Sequence, residues 1–301
     1  MIAQMFVLFG REYADLCERL DIEGEAERIR AAADTMTTVV EEHGWDGGWF
    51  LRAYDASGNK VGSHANDEGK IFVETQGFGA MARIGIDDGK VEKALDSVSE
   101  HLTCEYGIVL NYPAYTRYHL ELGEITTYPP GYKENGGIFC HNNPWIVIGE
   151  TVLGRGDRAY EHYCRTAPAF QDHVALHKME PYVYAQMIAG KEAAKPGEAK
   201  NSWLTGTAAW NYHAITEHIL GIKPDFDGLR IDPCIPSEWD GYEVSRSFRG
   251  STYNITVSNP DHMSTGVRSI VVDGEAIADN VLPAGNDGAV HCVQVVLGKT
   301  N

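Results

Sequence analysis

Seven segments with helical periodicity follow one another through the first two-thirds of this chain, and this succession constrains its fold most. In each segment, apolar residues recur every three or four positions, as in a helix that buries one face. The segments are residues 2–20, 25–42, 74–84, 91–102, 145–153, 159–167 and 203–220. The sequence therefore predicts a mainly α first domain over residues 1–222.

The pattern changes to short β-type runs from about Lys223 onward. Four such runs alternate with turn signals, including the Asp-Gly pairs at Asp273–Gly274 and Asp287–Gly288. The runs are residues 242–248, 252–258, 269–272 and 291–297. The sequence predicts a small antiparallel β-sandwich over residues 223–301.

Charge and hydropathy exclude some classes of partner. The chain has 301 residues, with 43 acidic and 25 basic side chains and a formal net charge of -18, so it would repel nucleic acids and anionic membranes. No apolar run is long enough to span a bilayer, and no secretory signal opens the sequence. We expect a cytoplasmic protein without nucleic-acid or membrane partners.

Cysteine and histidine spacing gives no sign of a metal cofactor. Six cysteines are scattered without Cys-x-x-Cys spacing, so we expect buried free thiols. His173 and His177 have the spacing of one helix face, but no nearby Glu or His completes a ligand set. The sequence predicts neither a metal nor a cofactor.

The long connections between the helical segments suggest function. Residues 128–145 read YPPGYKENGGIFCHNNPW, and ordered loops of this length on a helical scaffold usually carry function. Aromatic, carboxylate, amide and lysine side chains together are typical of a carbohydrate site. This mixture comprises Glu124, Tyr128, Tyr132, Lys133, Glu134 and Asn135. For each residue alone, a solvated loop remains the alternative.

Two predicted helix starts offer donors for an anion. Asn143 at the N-cap followed by Pro144 at the first helical position is a strong helix start, which would place His141 just before a helix N-terminus. Thr205–Gly206 lies near the start of a second apolar helix, where free backbone N–H groups, a hydroxyl and close backbone approach suit an oxyanion. The pattern favours a phosphate or sulfate pocket. The alternative is that Thr205 only caps its helix and His141 is a buried loop residue.

Four long motifs carry a family resemblance. They are LGEITTYPPGYKENGGIFCHNNPW from Leu122, EPYVYAQMIAG from Glu180, SWLTGTAAWNY from Ser202 and LRIDPCIPSEWDGY from Leu229. Their order and sequence closely resemble the inverting disaccharide phosphorylases of glycoside hydrolase family 94, the cellobiose, cellodextrin, laminaribiose and chitobiose type. The resemblance implies the later part of an (α/α)6 barrel followed by a C-terminal β-sandwich.

The resemblance also implies roles for individual residues. In the family, the residues that match His141, Thr205 and Gly206 hold phosphate. The match to Gln186 binds the transferred sugar. The acceptor side of the family site corresponds to Glu124, Tyr128 and Lys133.

Two parts of the family site have no counterpart in this sequence. The general-acid aspartate belongs to a Trp-Asn-Asp motif upstream of the first helix, and Trp45–Asp46 and Trp239–Asp240 occur in other contexts. An upstream phosphate-binding arginine is also absent. We therefore name no catalytic residue, and the helical pattern that begins almost at Met1 without a cap suggests a fragment.

The sequence thus indicates part of a phosphorylase that cleaves a β-linked glucoside, such as cellobiose, a cellodextrin or laminaribiose, with inorganic phosphate as the second substrate. We expect a homodimer of the full-length enzyme, or a complementary N-terminal chain. The alternatives are an (α/α)6 glycoside hydrolase that uses Glu124 or Glu134 as its second carboxylate, and a non-catalytic carbohydrate-binding or assembly subunit.

Overall fold

The structure is a computed structural model that describes residues 1–171, 175–180, 182–285 and 287–299. All seven predicted helices are present in these ranges. They are α1 (Ile2–Arg19), α2 (Glu25–His43), α3 (Val73–Met81), α4 (Lys90–His101), α5 (Asn143–Val152), α6 (Gly156–Thr166) and α7 (Thr207–His213), which continues as a π-helix over Ala214–Ile219. A helical first part followed by a small β domain is thus confirmed.

The chain divides into two compact units. The first comprises residues 1–152 and 162–210, and the second comprises residues 153–161 and 211–301. Both units therefore contain two separate stretches of sequence. The domain boundary that we expected between residues 222 and 223 stays a prediction.

Short strands connect the helices of the first unit. Within the described residues they form four small sheets, in which β3 pairs with β6, and β7, β8 and β9 form a three-stranded sheet in that order. The strands are β1 (Ala53–Tyr54), β2 (Lys60–Val61), β3 (Ile71–Phe72), β4 (Thr103–Cys104), β5 (Gly107–Ile108), β6 (Asn111–Tyr112), β7 (Ile138–Phe139), β8 (Ala185–Ile188) and β9 (Ala199–Ser202).

Helix α3 lies at the centre of the first unit. Every residue from Val73 to Ala80 is buried, which is the condition of a helix that is covered on all sides. Helix α1 buries one face, and the Gln4 side-chain amide on that face donates a hydrogen bond of 2.9 Å to the Thr75 carbonyl. The hydrophobic core of this unit is therefore built around α3.

Among its described residues, the second unit contains two sheets. Their order is β10-β11-β16 and β12-β13-β17-β14-β15. The strands are β10 (Ile222–Pro224), β11 (Gly228–Ile231), β12 (Gly241–Phe248), β13 (Ser251–Ser258), β14 (Val267–Val272), β15 (Glu275–Ile277), β16 (Val281–Pro283) and β17 (Val290–Leu297). All four predicted strands are present, and Asp273–Gly274 forms the predicted hairpin turn between β14 and β15 with positive φ at both residues.

The expectation of a purely antiparallel β domain was wrong. Strand β17 pairs in parallel with β13, with Tyr253 opposite His291 and Val257 opposite Val295. The chain passes through β14, β15 and β16 between these two strands, so the connection is long enough for a parallel crossover. The hydrophobic alternation in β13 marks its buried face but does not set the direction of its neighbour.

The predicted N-cap at Asn143 was also wrong. A 3₁₀ turn over Cys140–Asn142 leads directly into α5, and Asn143 already has helical φ and ψ. Its side chain instead binds β5, accepting a hydrogen bond of 2.8 Å from the Ile108 N–H and donating one of 3.1 Å to the Ile108 carbonyl. A tertiary contact has therefore replaced the local cap.

Candidate active site

The sheet β7-β8-β9 brings three of the predicted site segments together. Strand β7 leads into the turn that carries His141, and the central strand β8 carries Gln186. Strand β9 ends shortly before Thr205. Because both pairings are antiparallel, with Phe139 opposite Met187 and Ala185 opposite Ser202, the end of β7, the start of β8 and the end of β9 lie at one edge of the sheet.

The turn after β9 is anchored to this edge. The Thr207 hydroxyl donates a hydrogen bond of 3.3 Å to the Ala185 carbonyl on β8. Adjacent strands are about 4.8 Å apart, so β7 and β9 are separated by roughly 10 Å on either side of β8. His141 and the Thr205–Gly206 turn thus follow the two outer strands of one small sheet.

Thr205 acts as a local cap, as the alternative interpretation expected. Its Oγ1 accepts a hydrogen bond of 3.1 Å from the Thr207 N–H and lies 2.5 Å from the Thr207 hydroxyl. Gly206 is exposed, and a Cβ there would meet no atom closer than the Trp210 Cδ1 at 4.0 Å. The backbone at Gly206 is therefore open to a ligand, and the Thr205 cap does not block it.

His141 is half-buried and lies between aromatic rings. Its imidazole packs edge to face against Phe139 and Trp145, each with ring centroids 5.6 Å apart. Burial lowers the pKa of His141 below its usual value of 6.5, and the negative charge of Glu134 partly opposes this shift. The imidazole is therefore neutral at pH 7.

Asn135 gives the loop between residues 128 and 145 its rigidity. This fully buried side chain accepts a hydrogen bond from the Tyr115 N–H at 2.7 Å and donates to the carbonyls of Tyr115 and Tyr128 at 2.8 and 2.7 Å. Gly131 has φ of 80°, and a Cβ there would lie 2.2 Å from the Ala193 backbone nitrogen. The loop is thus a packed part of the first unit.

The rigid loop presents Tyr128 and Lys133 together. The Lys133 ammonium lies 5.3 Å from the centre of the Tyr128 ring, and Lys133 itself is exposed. Its backbone has φ of 50°, and its N–H points at the Met187 sulfur of β8 at 2.7 Å. The loop is therefore connected to the same sheet that carries Gln186.

Gln186 and Glu124 have different surroundings. The Gln186 Oε1 accepts a hydrogen bond of 2.9 Å from the Asn201 side chain on β9, which leaves the Gln186 amide hydrogens for another partner. Glu124 lies on the exposed 3₁₀ turn over Gly123–Thr127. Within the described ranges, no contact joins its carboxylate to Tyr128 or Lys133, so the structure does not bring Glu124 into the same cluster.

Glu134, which the sequence analysis included in the carbohydrate-type mixture and named as the carboxylate of the hydrolase alternative, interacts with His141. It is half-buried, its charge acts on His141, and its Oε2 is buried without a hydrogen-bond partner among the described residues. A buried carboxylate oxygen without a partner is costly unless a ligand or water satisfies it. The sequence already indicated Glu134, because this residue follows Lys133 in the same motif.

Asp46 is not a general acid in this structure. Its carboxylate accepts hydrogen bonds from the Ser63 hydroxyl at 2.8 Å, the His64 N–H at 2.8 Å and the Lys60 ammonium at 3.0 Å. Burial by itself would raise the pKa of Asp46, but these hydrogen bonds outweigh burial and hold the pKa below its usual value. At neutral pH, Asp46 is therefore a carboxylate that holds a loop together.

A cavity of about 340 Å³ lies elsewhere in the first unit, between the loop after β1 and the segment after β6. Its lining includes Lys60, Glu68, Arg117 and His119, and it contains none of the seven predicted site residues. Glu68 accepts a hydrogen bond from the Thr116 N–H at 3.0 Å and lies 3.1 Å from the His119 ring. Glu68 and His119 therefore satisfy each other, and Lys60 pairs with Asp46.

The remaining predictions concern metals, thiols and membranes. In the ranges that the structure describes, no cluster of three or more metal-ligating side chains occurs, and no helix is long and apolar enough to cross a membrane. His173 lies outside those ranges, whereas burial lowers the pKa of His177. All six cysteines are free, as expected. Cys17, Cys140 and Cys234 are buried and Cys104 and Cys164 are half-buried, but Cys292 is exposed, so the expectation of burial was wrong for Cys292.

Two family models match successive parts of the chain. The catalytic-domain model of the glycosyl hydrolase 94 superfamily matches residues 1–221, and the C-terminal domain model of glycosyl hydrolase family 65 matches residues 222–276. The first of these two models covers more than two-thirds of the chain. The chain belongs to the glycosyl hydrolase 94 superfamily, which confirms the resemblance seen in the sequence.

Several curated relatives of the chain are named as phosphorylases. The chain is 40% identical over 291 residues to the N,N'-diacetylchitobiose phosphorylase of Vibrio proteolyticus, covering 96% of this chain and 36% of that protein. It is 35% identical over 275 residues to the solabiose phosphorylase of Paenibacillus borealis, covering 91% and 36%. The chain spans about a third of the length of these relatives.

One solved structure has a similar fold. A sialidase aligns with a TM-score of 0.55 and 15% identity, covering 81% of this chain and 22% of the sialidase. At this identity the likeness concerns the fold alone.

Proposed function

We propose that this chain is part of an inverting glycoside phosphorylase that cleaves a β-linked disaccharide with inorganic phosphate. In this proposal the first unit belongs to the later part of an (α/α)6 barrel, and the second unit is the C-terminal β domain. The products are α-glucose 1-phosphate, or the 1-phosphate of a related sugar, and the released acceptor sugar.

The observation that carries the proposal is the shared edge of the sheet β7-β8-β9. His141 and the Thr205–Gly206 turn follow the outer strands, and Gln186 lies on the strand between them. A phosphate held by His141 and the Thr205–Gly206 turn would therefore lie next to a sugar bound by Gln186. Phosphate binding by His141, Thr205 and Gly206 explains why half-buried and exposed donors are gathered at this edge.

The chemistry needs few protein groups because phosphate is already an anionic nucleophile. A phosphate oxygen forms a bond to the anomeric carbon from the face opposite the leaving oxygen, and the glycosidic C–O bond breaks. The electron pair of that bond goes to the leaving oxygen, which takes a proton from a general acid. His141, the Thr205 hydroxyl and the Gly206 N–H would hold the phosphate in line for this attack.

The sugar would contact the loop and the central strand. Gln186 is proposed for the transferred sugar, and Glu124, Tyr128 and Lys133 for the acceptor. Cellobiose, cellodextrins and laminaribiose are candidate substrates, together with N,N'-diacetylchitobiose and solabiose, which the names of the relatives carry. A panel of these sugars, assayed for phosphate-dependent release of sugar 1-phosphate, would identify the preferred linkage.

The phosphate site is tested in the assembled enzyme, meaning this chain joined to the portion of the family enzyme that supplies the general acid. His141→Ala and Thr205→Ala should each raise the KM for phosphate and lower kcat, because a hydrogen bond to a charged group contributes about 1.5–3 kcal/mol. His101→Ala is the control, since His101 is half-buried in the same unit but packs on Trp49.

Two results would contradict the proposal. Unchanged phosphate kinetics in both variants would remove His141 and Thr205 from the site. Sugar release that is independent of phosphate would favour the hydrolase alternative, in which Glu134 or Glu124 activates water. A homodimer and a cytoplasmic location stay predictions, to be checked by sedimentation and by cell fractionation.

A further inference from the structure

We propose that Trp145 is the positioning residue that orients the His141 imidazole and couples it to the Thr205–Gly206 turn. This inference rests on the proposed phosphate site. It concerns a row of four aromatic rings, Phe139, His141, Trp145 and Trp210, which we call the aromatic row.

Within the part of the chain that the structure describes, no hydrogen bond supports the orientation of the His141 ring. Among the described residues, neither imidazole nitrogen has a hydrogen-bond partner, whereas a functional histidine is usually oriented by a hydrogen bond to its second nitrogen. What fixes the ring instead is packing. Phe139 and Trp145 contact it at interplanar angles of 86° and 82°, the edge-to-face arrangement that aromatic pairs prefer.

Trp145 is itself held tightly by α3. Only 8% of its surface is exposed, and its ring lies 4.8 Å from that of Phe78. Gly77 permits this approach, because a Cβ at that position would lie 2.7 Å from the Trp145 Cβ. Helix α3 therefore fixes the position of Trp145. Because the His141 imidazole packs on Trp145, the position of the imidazole is fixed as well.

The aromatic row continues to the other half of the site. Trp145 meets Trp210 edge to face, with ring centroids 5.7 Å apart and an interplanar angle of 84°. Trp210 lies on α7, and its backbone N–H donates a hydrogen bond of 3.1 Å to the Gly206 carbonyl. Its indole ring borders the open side of Gly206. One indole thus contacts both the imidazole and the helix that begins at the Thr205–Gly206 turn.

The test measures the His141 imidazole directly in the 301-residue chain, by NMR titration without any ligand. Trp145→Leu keeps an apolar side chain but removes the ring edge, so water should reach the imidazole. The His141 pKa should then rise toward its ordinary value. Trp145→Phe restores an aromatic edge, so the His141 pKa should fall back most of the way to its wild-type value.

The control is Trp49→Leu, which removes an indole that packs on His101 in the same unit. It should lower the melting temperature without moving the His141 pKa. If Trp145→Leu does not fold, Trp210→Leu replaces it, because Trp210 is only half-buried and a smaller shift in the same direction is expected. A His141 pKa that stays at the wild-type value in the folded Trp145 or Trp210 variant would overturn the positioning role.

Inorganic phosphate then separates the two proposals. If the site and the positioning role are both correct, phosphate binding by the assembled enzyme weakens about ten- to a hundredfold with His141→Ala, which removes one hydrogen bond to a charged group, and about threefold or more with Trp145→Leu. Loss with His141→Ala but wild-type affinity with Trp145→Leu would overturn the positioning role alone. Wild-type affinity with His141→Ala would instead overturn the phosphate site.

Discussion

The protonation state of His141 follows from its surroundings. Burial lowers its pKa below 6.5 and Glu134 raises it again in part, so a neutral imidazole faces the candidate site at pH 7. A neutral ring can donate one hydrogen bond to phosphate, and it can become an imidazolium when an anion arrives. The residue is therefore poised to respond to the charge of its ligand.

Phosphate should raise the pKa of His141. A negative charge within about 4–6 Å favours the charged form of a histidine, typically by about 1–3 pKa units. By linkage, phosphate binding near neutral pH should take up protons. Titration of the His141 ring by NMR with and without saturating phosphate checks this, and an unchanged pKa would place the anion elsewhere.

Asp46 should contribute to stability in a pH-dependent way. Asp46→Asn weakens the hydrogen bonds to Ser63, His64 and Lys60, so we expect a loss of about 1–3 kcal/mol in the free energy of unfolding at pH 7. The folded pKa is lowered, so this stabilisation is present above the unfolded pKa of about 3.9 and is lost as the pH falls through the folded value.

Urea unfolding of wild type and Asp46→Asn at pH 7 and at acidic pH measures this difference. The exposed Asp67→Asn serves as the charge-matched control and should change little. A difference between wild type and Asp46→Asn that grows as the pH falls would contradict the assigned cause.

Lys133 and Glu124 should affect the acceptor sugar more than phosphate. Lys133→Ala removes the ammonium beside Tyr128, and Glu124→Gln removes the charge on the exposed turn. In the synthetic direction, the assembled enzyme should show a raised KM for the acceptor with nearly unchanged phosphate kinetics in the reverse direction. Equal losses for both ligands would mean that the loop has only a structural role.

At the scale of elements, α1 has two apolar faces. The inner face packs into the first unit, and the outer face carries six large apolar side chains at alternating spacings of four and three residues. These are 39–71% exposed and comprise Ile2, Phe6, Phe9, Tyr13, Leu16 and Leu20. Such an α1 seam is typical of a helix face that packs against another helix. The chain spans about a third of the length of its relatives, so another helix of the family domain would fit this seam.

The α1 seam should make the isolated chain self-associate. Phe6→Gln combined with Leu16→Gln should shift the sedimentation profile toward the 33.2 kDa monomer while helical circular dichroism is retained. Val39→Gln, at an exposed apolar residue of α2 outside the α1 seam, should leave the profile unchanged. A wild-type chain that sediments as a monomer at all concentrations would contradict this expectation.

At the scale of the whole molecule, we expect the chain to need a general acid from outside it to protonate the leaving oxygen. Asp46 is engaged in a loop network, and no residue of the sequence matches the general acid of the family motif. General-acid catalysis contributes about 10²–10⁴-fold, so the loss of this group alone would suppress turnover.

The isolated chain should therefore release no sugar 1-phosphate from cellobiose, cellodextrins or N,N'-diacetylchitobiose. A phosphate-dependent assay is run on the chain alone and after mixing with a separately expressed N-terminal portion of the family enzyme. Activity only on mixing is the expected result and would indicate a complementary chain. Activity of the 301 residues alone would show that the general acid lies within them.

The sequence by itself determined the helices, the main strands and the identity of the site segments. Hydrophobic periodicity is a local property, so the patterns from α1 to α7 could be recognised without any neighbour, and the motifs that contain His141 and Thr205 could be matched to a family. The same holds for the turn at Asp273–Gly274, where local backbone preference dictates the conformation.

Only the tertiary structure decided which distant segments meet. The short strands β7, β8 and β9 have too few residues to show periodicity, yet their pairing places His141, Gln186 and Thr205 at one edge. The Asn143 side chain binds Ile108 instead of capping its helix, and β17 pairs in parallel with β13, because burial and hydrogen bonding across the fold outweigh local preference. The contact of Trp145 with Gly77 has the same origin, since close packing depends on residues far apart in sequence.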